Sequence, residues 1–219
     1  MIAAVIFDMD GLMLDTERMA LRAWRRAAEE FGATMRDELA LSIVGRNVPD
    51  TRAILREALG EGFPLEDCWN RTTDLYAADI SENGIPLKPG LGELLDFLEE
   101  QSIDAAVATS TYRALATHKL ELTGLISRFK AIVAGDEVDN GKPAPDIFLT
   151  AARSLGASPD TCVVLEDSFT GIRAAHAANM IPIMVPDLAQ PTEEIRSLAH
   201  AIVPSLHHAR EVIWRLLEK

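Results

Sequence analysis

The chain has 219 residues, 48% of them hydrophobic and 25% charged, with a formal net charge of −13. That length accommodates one large hydrophobic core, or a core with a smaller companion domain, and the composition excludes a disordered chain. The acidic balance, with only short basic clusters such as RAWRR, argues against nucleic acid or an anionic membrane surface as partner; a small anion gripped by a few cations is compatible with it.

The first element is the apolar run AAVIF at 3–7, too short for a core helix and read as a buried strand. It runs straight into Asp8, Met9, Asp10 and Gly11. The N-terminus lacks a basic region, and Asp8 cuts the apolar stretch far short of the roughly 20 residues that a membrane span needs. The two cysteines, Cys68 and Cys162, fall in segments of different character, so no disulfide is expected. A cytoplasmic location fits these features.

Residues 16–85 carry four amphipathic helical patterns: ERMALRAWRRAAEEFG, RDELALSIVG, VPDTRAILREALG and LEDCWNRTTDLYAADI. Trp24 and Phe31 stand a heptad apart on one face of the first, as helix packing requires. With no strand among them, these residues read as an all-helical insertion. The exit IPLKPG at 85–90 resembles a linker.

Beyond it, the short apolar runs DAAVAT at 104–109, AIVA at 131–134, CVVL at 162–165 and IPIMV at 181–185 alternate with helical patterns such as LGELLDFLEEQ and APDIFLTAARSLG. Gly156 closes the second of these as a helix C-cap would, and Pro143 and Pro145 stand where it begins. Strand alternating with helix predicts an α/β fold: a doubly wound, Rossmann-like parallel sheet, residues 1–15 and 86–219, with residues 16–85 inserted as a helical cap domain. No internal repeat is present.

In open parallel sheets, ligands bind beyond the carboxyl ends of the strands. Those ends carry Asp8 and Asp10, then Thr109, Ser110 and Thr111, then Gly135 and Asp136 with Lys142 in the following loop, then Glu166, Asp167 and Ser168. Residues two apart in extended chain share a side, so Asp8 and Asp10 are expected to point together. Four acids at two strand ends repel one another unless a cation lies among them, and a hard divalent ion such as Mg2+ answers to carboxylate oxygens.

These motifs, DMD at 8–10, a hydrophobic strand ending in Thr109, Lys142 in GKPAPDIF, and LEDSFTGIRAA with Glu166 and Asp167, together resemble the haloacid dehalogenase superfamily over about residues 3–186. The helical insertion lies where the subgroup of sugar-phosphate phosphatases and β-phosphoglucomutases places its cap. The resemblance implies that Asp8 is the nucleophile that forms an aspartyl-phosphate. It implies that Asp10 is the general acid, then base. Mg2+ would be held by Asp8, the Asp10 carbonyl and Asp167, with Glu166 reaching it directly or through water. Thr109 and Lys142 would bind the transferring phosphoryl group, and Ser110 would contact substrate. Gly11 would let the chain turn beside the substrate. Arg46 and Asn47, in the GRN loop at 45–47, would contact substrate, although Gly45 as a helix C-cap with both residues exposed explains the loop equally well.

The second aspartate argues against the dehalogenase branch, and the absence of lysine before Lys88 argues against a cap-lysine phosphonatase. β-Phosphoglucomutases carry a histidine in the first cap helix, whereas the first histidine here is His118. The expectation is therefore a Mg2+-dependent phosphohydrolase of small phosphorylated metabolites, sugar phosphates foremost, with a β-phosphoglucomutase-like mutase as the alternative. No obligate protein partner is evident. His207 and His208, adjacent in a helical pattern, point apart and read as surface residues, and Cys162 reads as a small buried hydrophobe.

Overall fold

The computed structural model describes residues 2–44 and 48–218. The chain divides into two compact units, Met1–Leu14 with Pro86–Lys219, and Asp15–Ile85.

The first unit is built on six strands, β1 (Ala4–Phe7), β2 (Asp104–Ala108), β3 (Ala131–Val133), β4 (Cys162–Glu166), β5 (Ile181–Met184) and β6 (Ala201–Ile202). They form one parallel sheet in the order β3-β2-β1-β4-β5-β6. The α/β class and five of the strands follow the expected apolar runs. β6 does not: a two-residue, half-buried strand is too short to show a period. β1 lies at the centre, with Ala4 opposite both Asp104 and Cys162, and all four of its residues are buried. That is why the sequence reads as an unbroken apolar run instead of an alternation.

Alternate residues face opposite sides of the sheet. Ala4, Ile6, Ala106, Ala108, Cys162 and Val164 share a core with Ile147, Phe148, Ala151 and Ala152 of α7 (Asp146–Leu155) and with Ala174 and Ala175 of α8 (Phe169–Ala177). On α5 (Leu91–Glu100), Leu91, Leu94, Leu95 and Leu98 are buried at helical spacing, and that helix packs against β2 and α10 (Leu206–Leu217). α6 (Arg113–Leu122) follows β2, and α9 (Glu193–Leu198) precedes β6. Gly156 ends α7 in the left-handed conformation expected of a C-cap.

The chain leaves this unit beside the point where it returns. Leu14 bridges Leu87 in antiparallel fashion, and the Lys88 N–H donates to the Met13 carbonyl at 2.8 Å. The predicted linker is thus tied to the outgoing chain by one bridge and one backbone hydrogen bond.

The second unit holds α1 (Thr16–Glu30), α2 (Asp37–Ser42), α3 (Val48–Leu59) and α4 (Leu65–Asn83). α1 and α4 pack together through Trp24 and Trp69, whose rings meet edge to face at 5.2 Å. The expected Trp24–Phe31 face is only partly realised. α1 stops at Glu30, and Phe31 caps it half-buried, its N–H donating to Ala27 and Ala28 carbonyls.

Candidate active site

The carboxyl ends of β1, β2 and β4 bring their polar residues together. Asp8 extends the ladder of β1 by donating its N–H to the Leu165 carbonyl at 3.0 Å, and Thr109 does the same for β2 at the Val133 carbonyl. Both are buried, as are Glu166 and the Lys142 side chain.

Lys142 is the hub. Its ammonium donates to Asp8 Oδ1 at 2.5 Å, Glu166 Oε1 at 2.7 Å and the Ala108 carbonyl at 3.0 Å, which occupies all three N–H groups. Burial works against this cation, but Asp8 and Glu166 outweigh it and hold the Lys142 pKa above its usual value. Burial is also the main influence on Asp8, with Glu166 and Asp10 adding to it. Against the opposing pull of Lys142, they push the Asp8 carboxyl up to about 7.

Two glycines make room for the acids. Gly11 has φ of +86°, and a Cβ there would stand 2.3 Å from Asp167 Oδ2. The space that a Cβ on Gly11 would need is taken by the Asp167 carboxylate. Gly171, in the first turn of α8, lies so close to Glu166 that a Cβ would meet its Oε1 at 1.7 Å. Ser168 caps that helix by accepting from the Gly171 N–H at 3.0 Å. Its own N–H and hydroxyl both donate to Glu166 Oε2, at 2.8 and 2.9 Å. Glu166 is therefore held at both oxygens, by Lys142 on one side and Ser168 on the other.

Asp10 sits differently. Its Oδ1 accepts from the Lys119 ammonium at 2.6 Å and its Oδ2 from the Thr111 hydroxyl at 2.7 Å, so the carboxylate is held against the start and the buried face of α6. Among the described residues, Asp8, Glu166 and Asp167 lie within ligand reach of one another, each offering an oxygen within 4.8 Å of the others. An all-carboxylate set of this kind fits a hard, oxygen-seeking ion such as Mg2+ and not a soft one. The Thr109 hydroxyl accepts from the Thr111 N–H at 3.1 Å. Ser110 is exposed, with its backbone close against Gly135. Asp136, noted at the end of β3, caps α6 by accepting from the Arg113 N–H at 2.8 Å. Gly45, Arg46 and Asn47 lie outside the described residues.

Sequence reasoning missed Lys119 and left Ser168 and Thr111 without a task. The available signal was a lysine on the apolar stripe of α6, three residues from Ala116 and next to Leu120, both buried.

A model of the haloacid dehalogenase-like hydrolase family matches residues 5–185. The phosphorylated carbohydrates phosphatase of Thermotoga maritima is 37% identical over 181 residues, covering 81% of this chain and 82% of that protein. Hexitol phosphatase B of Escherichia coli is 31% identical over 194 residues, 84% of each. Among solved structures, a candidate β-phosphoglucomutase from Thermotoga maritima superposes with a TM-score of 0.82 at 33% identity, covering 98% of this chain and 99% of that one.

Proposed function

The chain belongs to the haloacid dehalogenase-like hydrolases and is a phosphatase of that family; from this premise we propose that it hydrolyses small phosphorylated metabolites, sugar phosphates foremost, through an aspartyl-phosphate on Asp8. The observation that carries the reading is Lys142, a buried cation fixed between Asp8 and Glu166 with Asp167 alongside. A carboxylate suited to attack, a fixed positive charge and a hard-metal donor set meet at the carboxyl ends of the central strands.

In the proposed reaction an Asp8 carboxylate oxygen attacks phosphorus in line, and the bond from phosphorus to the leaving oxygen breaks. Asp10, protonated, gives its proton to the departing alkoxide. It then accepts one from a water molecule, whose hydroxide attacks the phospho-aspartate and releases phosphate with Asp8 restored. Lys142 supplies a fixed positive charge beside Asp8 for the phosphoryl group, and the Thr109 hydroxyl, which accepts from the Thr111 N–H, keeps its own hydrogen for a phosphoryl oxygen. Asp8, Asp167 and the Asp10 carbonyl would hold Mg2+, with Glu166 behind them because its oxygens serve Lys142 and Ser168. The ion would neutralise phosphate charge so that an anionic nucleophile can approach an anionic ester. Arg46, Asn47 and Ser110 are assigned to substrate recognition on sequence grounds.

The alternative is a mutase, which the likeness to a candidate β-phosphoglucomutase keeps in view. The absence of histidine from the first cap helix, and of any lysine before Lys88, favours water as the acceptor. A phosphate-ester panel assayed with Mg2+ and with chelator tests the proposal: free phosphate is expected only with Mg2+, and Asp8→Asn is expected to abolish it. Full turnover by Asp8→Asn would overturn the nucleophile assignment. Isomerised sugar phosphate without free phosphate would establish the mutase.

A further inference from the structure

A lysine side chain only 6% exposed is rare unless something compensates its charge. Lys119 lies on the buried face of α6 with Ala116 and Leu120, where an apolar residue would extend the helix's packing stripe without cost. Its ammonium is aimed at Asp10 Oδ1, 2.6 Å away and itself mostly sheltered. The Thr111 hydroxyl, at 2.7 Å, takes the other oxygen. One contact comes from the helix face and one from the loop that precedes the helix, so the plane and the rotamer of the carboxylate are both fixed. Lys142, by contrast, gives its three donors to Asp8, Glu166 and Ala108. The two buried lysines therefore serve different aspartates.

We propose that Lys119 is a positioning residue for proton transfer, which with Thr111 holds the Asp10 carboxyl group at the place from which it serves the leaving oxygen. The inference rests on the assignment of Asp10 as proton carrier. Lys119 does not touch substrate in this scheme. It fixes the position of the carboxyl group, and a proton donor displaced by about 1 Å can lose on the order of 10²-fold in rate.

A purely structural lysine and a positioning lysine differ in one readout. Proton donation matters most when the leaving group is a poor one, such as a sugar alkoxide, and least when it is p-nitrophenolate, which departs as a stable anion. For Lys119→Met the ratio of kcat on a sugar phosphate to kcat on p-nitrophenyl phosphate is expected to fall about tenfold or more. In the Asp10→Asn background the same change is expected to leave that ratio where Asp10→Asn alone puts it, because the partner it acts through is gone. Equal losses on both esters, or a further fall in the double variant, would overturn the proposal. If Asp10→Asn itself shows no leaving-group dependence, it is the assignment of Asp10 that fails. Should Lys119→Met not fold, Thr111→Val carries the same test from the other oxygen, since it removes a hydrogen bond but no charge, and an unchanged ratio there counts against the proposal.

Discussion

At the scale of single residues, the site is an arrangement of like charges made tolerable by two lysines. Asp8 carries most of the strain of that compromise. With its carboxyl pushed up to about 7 by burial, the folded state holds a proton that the unfolded chain releases near pH 4. The folded form binds more protons in that window, so without Mg2+ this group's contribution to stability falls as pH rises from about 4 to about 7. Asp8→Asn removes the titration. Denaturant unfolding with chelator present, at a series of pH values, should show the variant gaining on the natural chain by at most about 1.4 kcal/mol per pH unit across the window. A pH-independent difference would mean that Lys142 keeps Asp8 ionised throughout. The glycine beside Glu166 offers a second check. Gly171→Ala would force a Cβ into the Glu166 carboxylate, which must shift and take Lys142 with it. The expected result is a fall in kcat of about 10²-fold with the fold retained, read by steady-state kinetics alongside circular dichroism.

At the scale of elements, the acids were easier to find than their partners. Asp8, Asp10, Glu166 and Asp167 are visible because each follows an apolar run that can only be a buried strand, and a charge at such a boundary stands out. Lys119 and Ser168 are not visible in that way. One hides on a helix stripe, and the other looks like an ordinary N-cap, which it also is. Which carboxylate a lysine will meet depends on how α6 and the loop carrying Lys142 pack against the sheet, and no local pattern encodes that. β6 escaped for a related reason: two residues pair with β5 only because β5 is already in place. The helical insertion was legible as helices, but where α1 ends was not, and Phe31 fell outside it. Within that unit the α1–α4 pair rests on apolar contact more than on charge. Trp24 is buried against Trp69, whereas the Arg71–Glu30 pair is solvent-exposed. Trp24→Ala should cost about 3–5 kcal/mol. Arg71→Ala should leave stability almost unchanged despite its two hydrogen bonds, because the pair is solvent-exposed. Urea midpoints of the two variants would decide between packing and charge.

At the scale of the whole molecule, the net charge of −13 complicates any metal test, because every added cation relieves general self-repulsion. A specific ion must therefore be separated from ionic strength. Mg2+ binding to the folded state alone stabilises it by about 2.7 kcal/mol at a hundredfold excess over Kd. For a chain of this size that is a rise in Tm on the order of 5–10 °C. Sodium chloride at matched ionic strength should reproduce only the screening part, since surface charges feel it and a buried carboxylate cluster largely does not. Asp167→Ala removes one of the three converging carboxylates and leaves the Lys142 pairs intact. It should therefore abolish the Mg2+-specific rise while keeping the sodium response. Because Asp8 titrates in the same cluster, the Mg2+-specific rise should also grow between about pH 6 and 8, as the proton that competes with the ion is lost. Calorimetric scans of both proteins, with Mg2+, with matched sodium and with chelator, check every arm. A Mg2+ response in Asp167→Ala equal to that of the natural chain would place the ion elsewhere than among Asp8, Glu166 and Asp167.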